Sequence, residues 1–439
     1  MIAQSTESSS YKFWKVALVL LVVAYLCNFF TPLRLTNDTI RYFRLVETQL
    51  GNWPAPHFRD FLPFGYVCTL FGLAKAGILN SFTIAALNGL MLVGSLYFLR
   101  KLFSAKRHFI WMIVLLLLNW NTIKFTLTPL SEMQFLFLSA GCLYFYSAFG
   151  ETRKKWYLLF SIIFCVLAIY TRTAGMSLGL ALVLTPLLEN GKKILTLIRS
   201  NKLIAFGIAL GISAIFVFQI NQYGVLKYLN YYRVSGEQNP LIILLTTCWM
   251  HIQEIGELFI NIPQSKAVTV VPPVVAMILY TIAGLLFLCL LAKAIFSKKL
   301  EIPSVVRVYL FIYFLMICCW PFFEVRFWFP VFPLMLMVIL AQVNSAGLNA
   351  MWMSLRNFYL GAYFLTGIFS ISYYSWLSFN REAMAEHHDA GLWKKQYRAH
   401  FFGEPFKRGM FEDDAIYILD KYDAAHKGVS VDQQFPERR

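Results

Sequence analysis

Asp38 is the first residue in the chain placed to do chemistry. It sits in Leu35-Thr36-Asn37-Asp38-Thr39-Ile40-Arg41-Tyr42, about six residues beyond the first long apolar segment. A carboxylate just above a membrane surface can reach a lipid-held substrate and an aqueous hydroxyl together. As a general base it takes the hydroxyl proton during attack. The same residues also read as a helix start, because Asn37-Asp38-Thr39 precedes Ile40-Arg41-Tyr42-Phe43 and Asn and Asp cap helices well. Glu132 is the second acid. It follows Thr128-Pro129-Leu130-Ser131, where an acid favours a helix N-terminus and Ser131 offers a cap.

Four cations accompany these acids: Arg41, Lys124, Arg172 and Arg326. Arg172 lies in Tyr170-Thr171-Arg172-Thr173-Ala174-Gly175, and Arg326 in Phe323-Glu324-Val325-Arg326-Phe327-Trp328-Phe329-Pro330. Arginine near a bilayer is costly unless paired. Glu324 offers Arg326 a structural partner, and Lys124 can snorkel harmlessly. The functional alternative is phosphate binding by planar guanidinium forks. Four cations on one side of the membrane point to a phosphate-bearing lipid. His57, in Pro54-Ala55-Pro56-His57-Phe58-Arg59-Asp60, is a lone imidazole among scattered acids. No cofactor is expected; a divalent ion held by Asp38 with Glu132 or His57 is the alternative. There is no P-loop, no GxGxxG, no GxSxG and no HExxH, so nucleotide-driven transport, dinucleotide redox chemistry and the common hydrolases lose their usual support.

The elements that must position these residues are apolar helices. The chain has 439 residues, 58% hydrophobic and only 14% charged, with a mean hydropathy of +0.59. A soluble globular domain is nearer a quarter charged. The composition predicts an all-α polytopic membrane protein. At roughly 20 residues per crossing, about eleven helices use half the chain. The expected spans are 15–32, 81–99, 109–126, 132–149, 156–171, 174–189, 203–220, 273–292, 306–322, 327–343 and 358–378. The first is read as a retained helix, because Asn28-Phe29-Phe30-Thr31-Pro32 lacks a small-x-small cleavage pattern. The eight cysteines form no CxxC and read as apolar packers. No internal repeat is evident.

Segment 61–79 is apolar but broken by Pro63, Gly65, Gly72, Lys75 and Gly77. The positive-inside rule decides its reading. With the N-terminus inside and 61–79 lying at the outer surface, the inside segments, with border residue Lys15, hold 18 Lys/Arg in 71 residues. The outer ones before the tail hold 11 in 118. A twelfth crossing would put RKLFSAKR, ETRKK and KKILTLIRSNK outside. So 61–79 is expected to be interfacial or re-entrant. The net charge of +16 then reflects topology, not a nucleic-acid partner. The expected organisation is an integral domain over 1–378, with outer loops 33–80 and 221–272, and an extracytoplasmic tail over 379–439. The second loop holds an amphipathic stretch from Trp249 to Ile260. The tail is expected to pack on the outer loops or remain partly disordered. A bacterial inner membrane fits the unpaired outer cysteines. The formal glycosylation sequon Asn37-Asp38-Thr39 is discounted, because a glycan there would block the site.

In order, these features resemble the GT-C superfamily of polyprenyl-phosphate-sugar glycosyltransferases, in the branch with protein O-mannosyltransferases and the aminoarabinose lipid A transferase. The resemblance covers roughly 15–190, with a weaker echo at 323–335. It is carried by the first helix leading to Asp38, by Pro63-Phe64-Gly65-Tyr66, by the inside patch Leu99-Arg100-Lys101-Leu102-Phe103, by Glu132, and by the Arg-aromatic-Pro-x-x-Pro pattern from Arg326 to Pro333. Two departures are visible: Thr39 follows Asp38 where many members have an acidic pair, and Glu132 stands where Asp is usual. The resemblance implies a polyprenyl-phosphate sugar donor, transfer to an acceptor hydroxyl with inversion, and no nucleic acid. Asp38 would be the base, and Glu132 is the second residue expected to be catalytic. Arg172, Arg326, Lys124 and Arg41 would hold the donor phosphate, and Tyr42, His57 and Tyr66 would contact sugar or acceptor. The acceptor itself, whether glycan, lipid or protein, is not named by any residue. Two rivals remain: a lipid-linked oligosaccharide polymerase or ligase, for which the late outer loop offers Arg233 and His251, and a flippase, which would want charges deeper in the membrane.

Overall fold

In hydrocarbon, each peptide group must find its hydrogen-bond partner inside its own segment. The apolar runs of this chain are accordingly helical. The computed structural model describes residues 16–53, 63–103, 106–200, 239–297, 299–345, 350–405 and 410–425. The expected span 203–220 and His57 lie outside the described residues. No strand occurs among those described.

The first group of helices is α1 (Val16–Asn28), α2 (Asn37–Gln49), α3 (Phe64–Lys75) and α4 (Ser81–Leu102). Next come α5 (Lys106–Leu118), α6 (Trp120–Leu127), α7 (Glu132–Thr152), α8 (Lys155–Thr171) and α9 (Gly175–Ser200). The third group is α10 (Pro240–Ile260), α11 (Gln264–Ala267), α12 (Pro273–Phe296) and α13 (Ser304–Cys318). Two 3₁₀ turns, Val325–Phe327 and Phe329–Val331, lead into α14 (Phe332–Ser345), which is followed by α15 (Ala350–Phe379). The tail forms α16 (Arg381–His387), α17 (Lys394–Phe402) and α18 (Met410–Tyr422).

Among the described residues, α4, α7, α12 and the segment Val325–Val343 are long and apolar enough to cross a bilayer. The expected count of eleven is therefore not reached on length and composition. α1, α8 and α13 are apolar but shorter. Helix α3, at 12 residues, spans only about 18 Å. Large apolar side chains stand exposed on the outer faces of α4 (Leu90, Val93), α12 (Val274, Ile282) and α15 (Phe358, Phe369). A belt of that kind is matched by lipid tails, not by water.

The span expected straight through 109–126 is instead broken. Helices α5 and α6 meet at Asn119 with a bend of 68°. A break frees peptide groups that lipid cannot satisfy. Asn261 supplies both partners: its Oδ1 accepts from Trp120 N at 3.0 Å and its Nδ2 donates to Leu118 O at 3.0 Å. Asn119 Nδ2 donates to Leu258 O and Tyr363 OH, both at 2.9 Å. The amphipathic stretch Trp249–Ile260 is helical. It is the second half of the 21-residue helix α10, which packs closely along α12. Gly256 and Gly284 permit that approach. A Cβ on Gly284 would lie 2.0 Å from Ile252 O, and one on Gly256 would lie 1.9 Å from Tyr280 O.

The described part of the tail is ordered against α2. Glu47, on the buried face of α2, accepts from Lys421 Nζ at 2.8 and 2.9 Å, from Asn52 Nδ2 at 2.6 Å, and from the Tyr417 and Tyr422 hydroxyls. Arg44 pairs with Asp414 at 3.2 Å. His400 is buried between Asp420 and Asp423, at 2.5 and 3.2 Å.

Two expectations follow. Gly284→Leu should push α10 and α12 apart at a cost of roughly 1–3 kcal/mol and lower the melting temperature of the detergent-purified protein. Gly150→Leu, where a Cβ meets nothing within 4 Å, should do little. Burial alone would lower the His400 pKa, but its bonds to Asp420 and Asp423 outweigh this and raise it. A raised folded value gives stabilisation that is complete below the unfolded value, about 6.5, and is lost as pH rises through the folded one. Protease nicking of the tail should therefore accelerate as pH climbs from 6 towards 9, and His400→Gln should remove that dependence.

Candidate active site

The start of α2 is capped by Thr36, whose Oγ1 accepts from Thr39 N at 3.1 Å. The capping role that Asn37-Asp38-Thr39 suggests thus falls to Thr36, and Asp38 stands in the first turn with its carboxylate available. Arg326 Nη1 donates to Asp38 Oδ2 at 2.5 Å, and Arg41 Nη1 lies 3.8 Å from Asp38 Oδ1. Arg326 also holds Glu324, at 2.7 Å from Nε. The structural partner anticipated for Arg326 is therefore real, but Asp38 shares it.

Arg326 is presented by the 3₁₀ turn Val325–Phe327. Buried hydrogen bonds fix that turn: Tyr313 OH donates to Phe327 O, and Trp328 Nε1 donates to Glu254 Oε2 at 3.1 Å. Glu254 in turn pairs with buried His251 at 2.7 Å. Arg172 sits at the C-cap of α8, in the tight turn to α9. Gly175 makes this turn feasible, because a Cβ there would lie 2.6–2.7 Å from the backbone of Ala168 and Ile169. Arg172 Nη1 donates to Glu132 Oε1 at 2.5 Å and to Ser131 Oγ at 3.2 Å. Phe327 lies within cation–π reach of both arginines, 5.6 Å from Arg172 and 5.2 Å from Arg326.

These groups surround a cavity of about 670 Å³. The start of α2 contributes Asp38, Arg41 and Tyr42, and α6 contributes Lys124. The α8–α9 turn contributes Arg172, and the 322–327 segment supplies Phe322, Glu324 and Arg326. Asn88 steadies the Lys124 region by donating to the carbonyls of Phe125, Thr126 and Thr128 at the end of α6. Lys124 Nζ rests over the Trp120 and Phe125 rings.

The candidate residues separate by position. Asp38, Arg41, Tyr42, Lys124, Arg172 and Arg326 line one cavity. Glu132 does not line it. Its side chain is 1% exposed and turned to Arg172. Ser131 makes no side-chain cap; its hydroxyl accepts from Tyr42 OH at 3.2 Å as well as from Arg172. Burial, reinforced by the charges of Asp38 and Glu132, pushes the Tyr42 phenol up, so it remains a proton donor. Tyr66, expected at the substrate, is buried edge-on against Tyr42 with ring centroids 5.1 Å apart, and does not line the cavity. Bulk apolar packing of α3 against α2 draws it inward. Two acidic lining residues, Glu257 and Asp389, were not among the candidates drawn from the sequence. The amphipathic pattern of 249–260 was a usable signal for Glu257; none marked Asp389. Among the described residues, no three His, Cys, Asp or Glu side chains group as a metal site.

Fold and cavity together define an integral membrane protein with a charged pocket built against its apolar helices. No protein-family model matches the chain, and no curated protein matches it. Among solved structures it is similar to the apo crystal structure of ArnT from Cupriavidus metallidurans. That likeness has 15% identity and a TM-score of 0.45, and it covers 94% of this chain and 75% of the other.

The Arg172–Glu132 pair yields a stability test. Glu132→Ala strands a nearly buried guanidinium, and losing one member of such a pair costs about 3–5 kcal/mol. Thermal unfolding should show a large loss for Glu132→Ala and a smaller one for Glu132→Gln, which keeps a hydrogen-bond acceptor for Arg172.

Proposed function

We propose that the chain is a membrane glycosyltransferase that moves a sugar from a polyprenyl-phosphate donor to an acceptor hydroxyl. The supporting observation is the convergence of Asp38, Arg41, Lys124, Arg172 and Arg326, from segments far apart in sequence, on one cavity beside apolar helices. In this reading the donor's lipid tail lies against the helices, and its phosphate meets Arg172, Arg326, Lys124 and Arg41. Asp38 takes the proton from the acceptor hydroxyl. The acceptor oxygen bonds to the anomeric carbon from the face opposite the phosphate, the bond from that carbon to the phosphate oxygen breaks, and the configuration inverts. The electron pair leaves with the polyprenyl phosphate, whose charge the cations stabilise. Arg326 is then shared between base and leaving group.

The finer topology belongs to the same proposal: about eleven crossings in a bacterial inner membrane, with a cytoplasmic N-terminus and an extracytoplasmic cavity and tail. That side suits a lipid-linked donor, since nucleotide sugars are absent there. The chemistry needs no cofactor in this scheme. Positioning falls to Glu132 through Arg172. His57 keeps its expected role at the sugar or acceptor only as part of the proposal.

The test is transfer from radiolabelled polyprenyl-phosphate sugars in membranes at matched protein level, with envelope extract as acceptor. Asp38→Asn should lose about 10²–10⁴-fold in turnover, the span of general-base contributions, yet retain donor binding. Arg326→Ala should lose about 10²–10³-fold through the leaving group. Equal labelling by wild type and Asp38→Asn would remove Asp38 from the mechanism. Lipid movement across the bilayer without any transfer would favour a flippase instead.

A further inference from the structure

The tail delivers a residue to the cavity. Between α16 and α17 the chain runs His388-Asp389-Ala390-Gly391, and Asp389 lines the cavity together with Asn37 and Asp38. The backbone there is unusual. Asp389 has φ 50° and ψ 45°, Ala390 has φ 56° and ψ 29°, and Gly391 has φ 79°. Glycine takes such values freely and Asp tolerates them, but Ala does not. Left-handed non-glycine residues cost of order 1–3 kcal/mol each and persist only where their surroundings over-determine them.

The surroundings do so here. His388 is buried, and its Nε2 donates to Leu35 O at 2.9 Å. Burial, and then the nearby Arg34 charge, hold its pKa down to about 3, so this anchor stays neutral at ordinary pH. Tyr397 OH donates to Leu33 O at 2.7 Å and accepts from Leu35 N at 2.9 Å. The strained turn is thereby tied to residues 33–35, which lead directly into Asp38. Asp389 itself is exposed, and no hydrogen bond or ion pair joins its carboxylate to another side chain among the described residues. Asn37, also exposed, lines the same cavity.

From this geometry we infer that Asp389 is a carbohydrate-binding residue, whose carboxylate accepts hydrogen bonds from sugar hydroxyls in the cavity, making the tail part of the substrate site. A carboxylate offers two oxygens to a pair of neighbouring hydroxyls, and the Asn37 amide adds both a donor and an acceptor. The inference builds on the transferase reading. The hydroxyls belong to the donor's sugar or to a glycan acceptor, and the two sources are separable by experiment.

Full-length protein in lipid nanodiscs is titrated with bare polyprenyl phosphate, with polyprenyl phosphates carrying mannose, glucose or arabinose, and with the methyl glycosides of those sugars. Wild type is compared with Asp389→Ala and Asp389→Asn, and tail proteolysis checks that the tail remains docked. For a donor-sugar contact, bare lipid binds all three proteins alike. The extra affinity of a sugar-bearing lipid or methyl glycoside then falls about 10- to 100-fold in Asp389→Ala, as expected for hydrogen bonds to a charged group. For an acceptor contact, donor binding is unchanged, and the acceptor concentration giving half-maximal transfer rises by a similar factor with turnover kept. No change in either arm overturns the inference. Equal weakening of bare lipid also overturns it, by marking Asp389 as merely structural. Failure of bare lipid to bind wild type would sink the donor reading, while an Asp389-sensitive methyl-glycoside signal would still uphold this one.

Discussion

Asp38 and Arg326 are 288 residues apart in the chain and 2.5 Å apart in space. An arginine at the edge of an apolar bundle is stable only when its charge is answered nearby. The same requirement governs the whole cluster. Arg326 is answered by Asp38 and Glu324, and Arg172 by Glu132, with Phe327 lying within reach of both guanidiniums. The start of α2, the start of α7, the end of α8 and the 3₁₀ turn after α13 must therefore meet at one place. A displacement of any one of them would break at least one of these pairs.

Neutral polar side chains make that meeting feasible. Helices that end or bend inside an apolar bundle expose peptide groups, and each needs a partner. Asn88 serves the end of α6, and at the break between α5 and α6 Asn119 Oδ1 accepts from Asn121 N while Asn261 bonds Trp120 N and Leu118 O. Gln134 joins three elements near Arg172, bonding Gly65 O, Thr69 Oγ1 and Thr171 Oγ1. These amides cost little as neutral groups once bonded. They let the helices stop where the charged residues require it.

The tail completes α2 from behind. Glu47 faces away from the cavity into the tail, while Asp38, nine positions earlier, faces the cavity. One helix thus carries two carboxylates with opposite duties. Glu47 gathers Asn52, Lys421, Tyr417 and Tyr422, so the orientation of α2 is coupled to the docking of α18. His388 and Tyr397 hold the segment before α2 in the same manner. Movement of the tail would therefore be felt at Asp38.

Much of this was legible in the linear chain. Apolar runs marked helices, because a helix is the simplest structure that satisfies its own backbone in lipid. Residue type and local spacing picked out Asp38, Arg172, Arg326, Lys124, Arg41 and Tyr42, all of which line the cavity. What those residues touch was decided by tertiary structure. The choice of Thr36 over Asn37 as cap depends on local hydrogen-bond geometry that composition does not specify. The inward turn of Tyr66, the bend at Asn119 and the close approach of α10 to α12 depend on neighbours more than a hundred positions away or on opposing helices. Asp389 carried no local signal at all, since a carboxylate in a balanced, polar tail looks solvated until the tail is docked. The sequence by itself determined that the chain belongs in a membrane and which of its charges had to be answered. Only the tertiary structure decided which acid answers which cation, because pairing depends on distance in space, and the linear order of residues does not contain it.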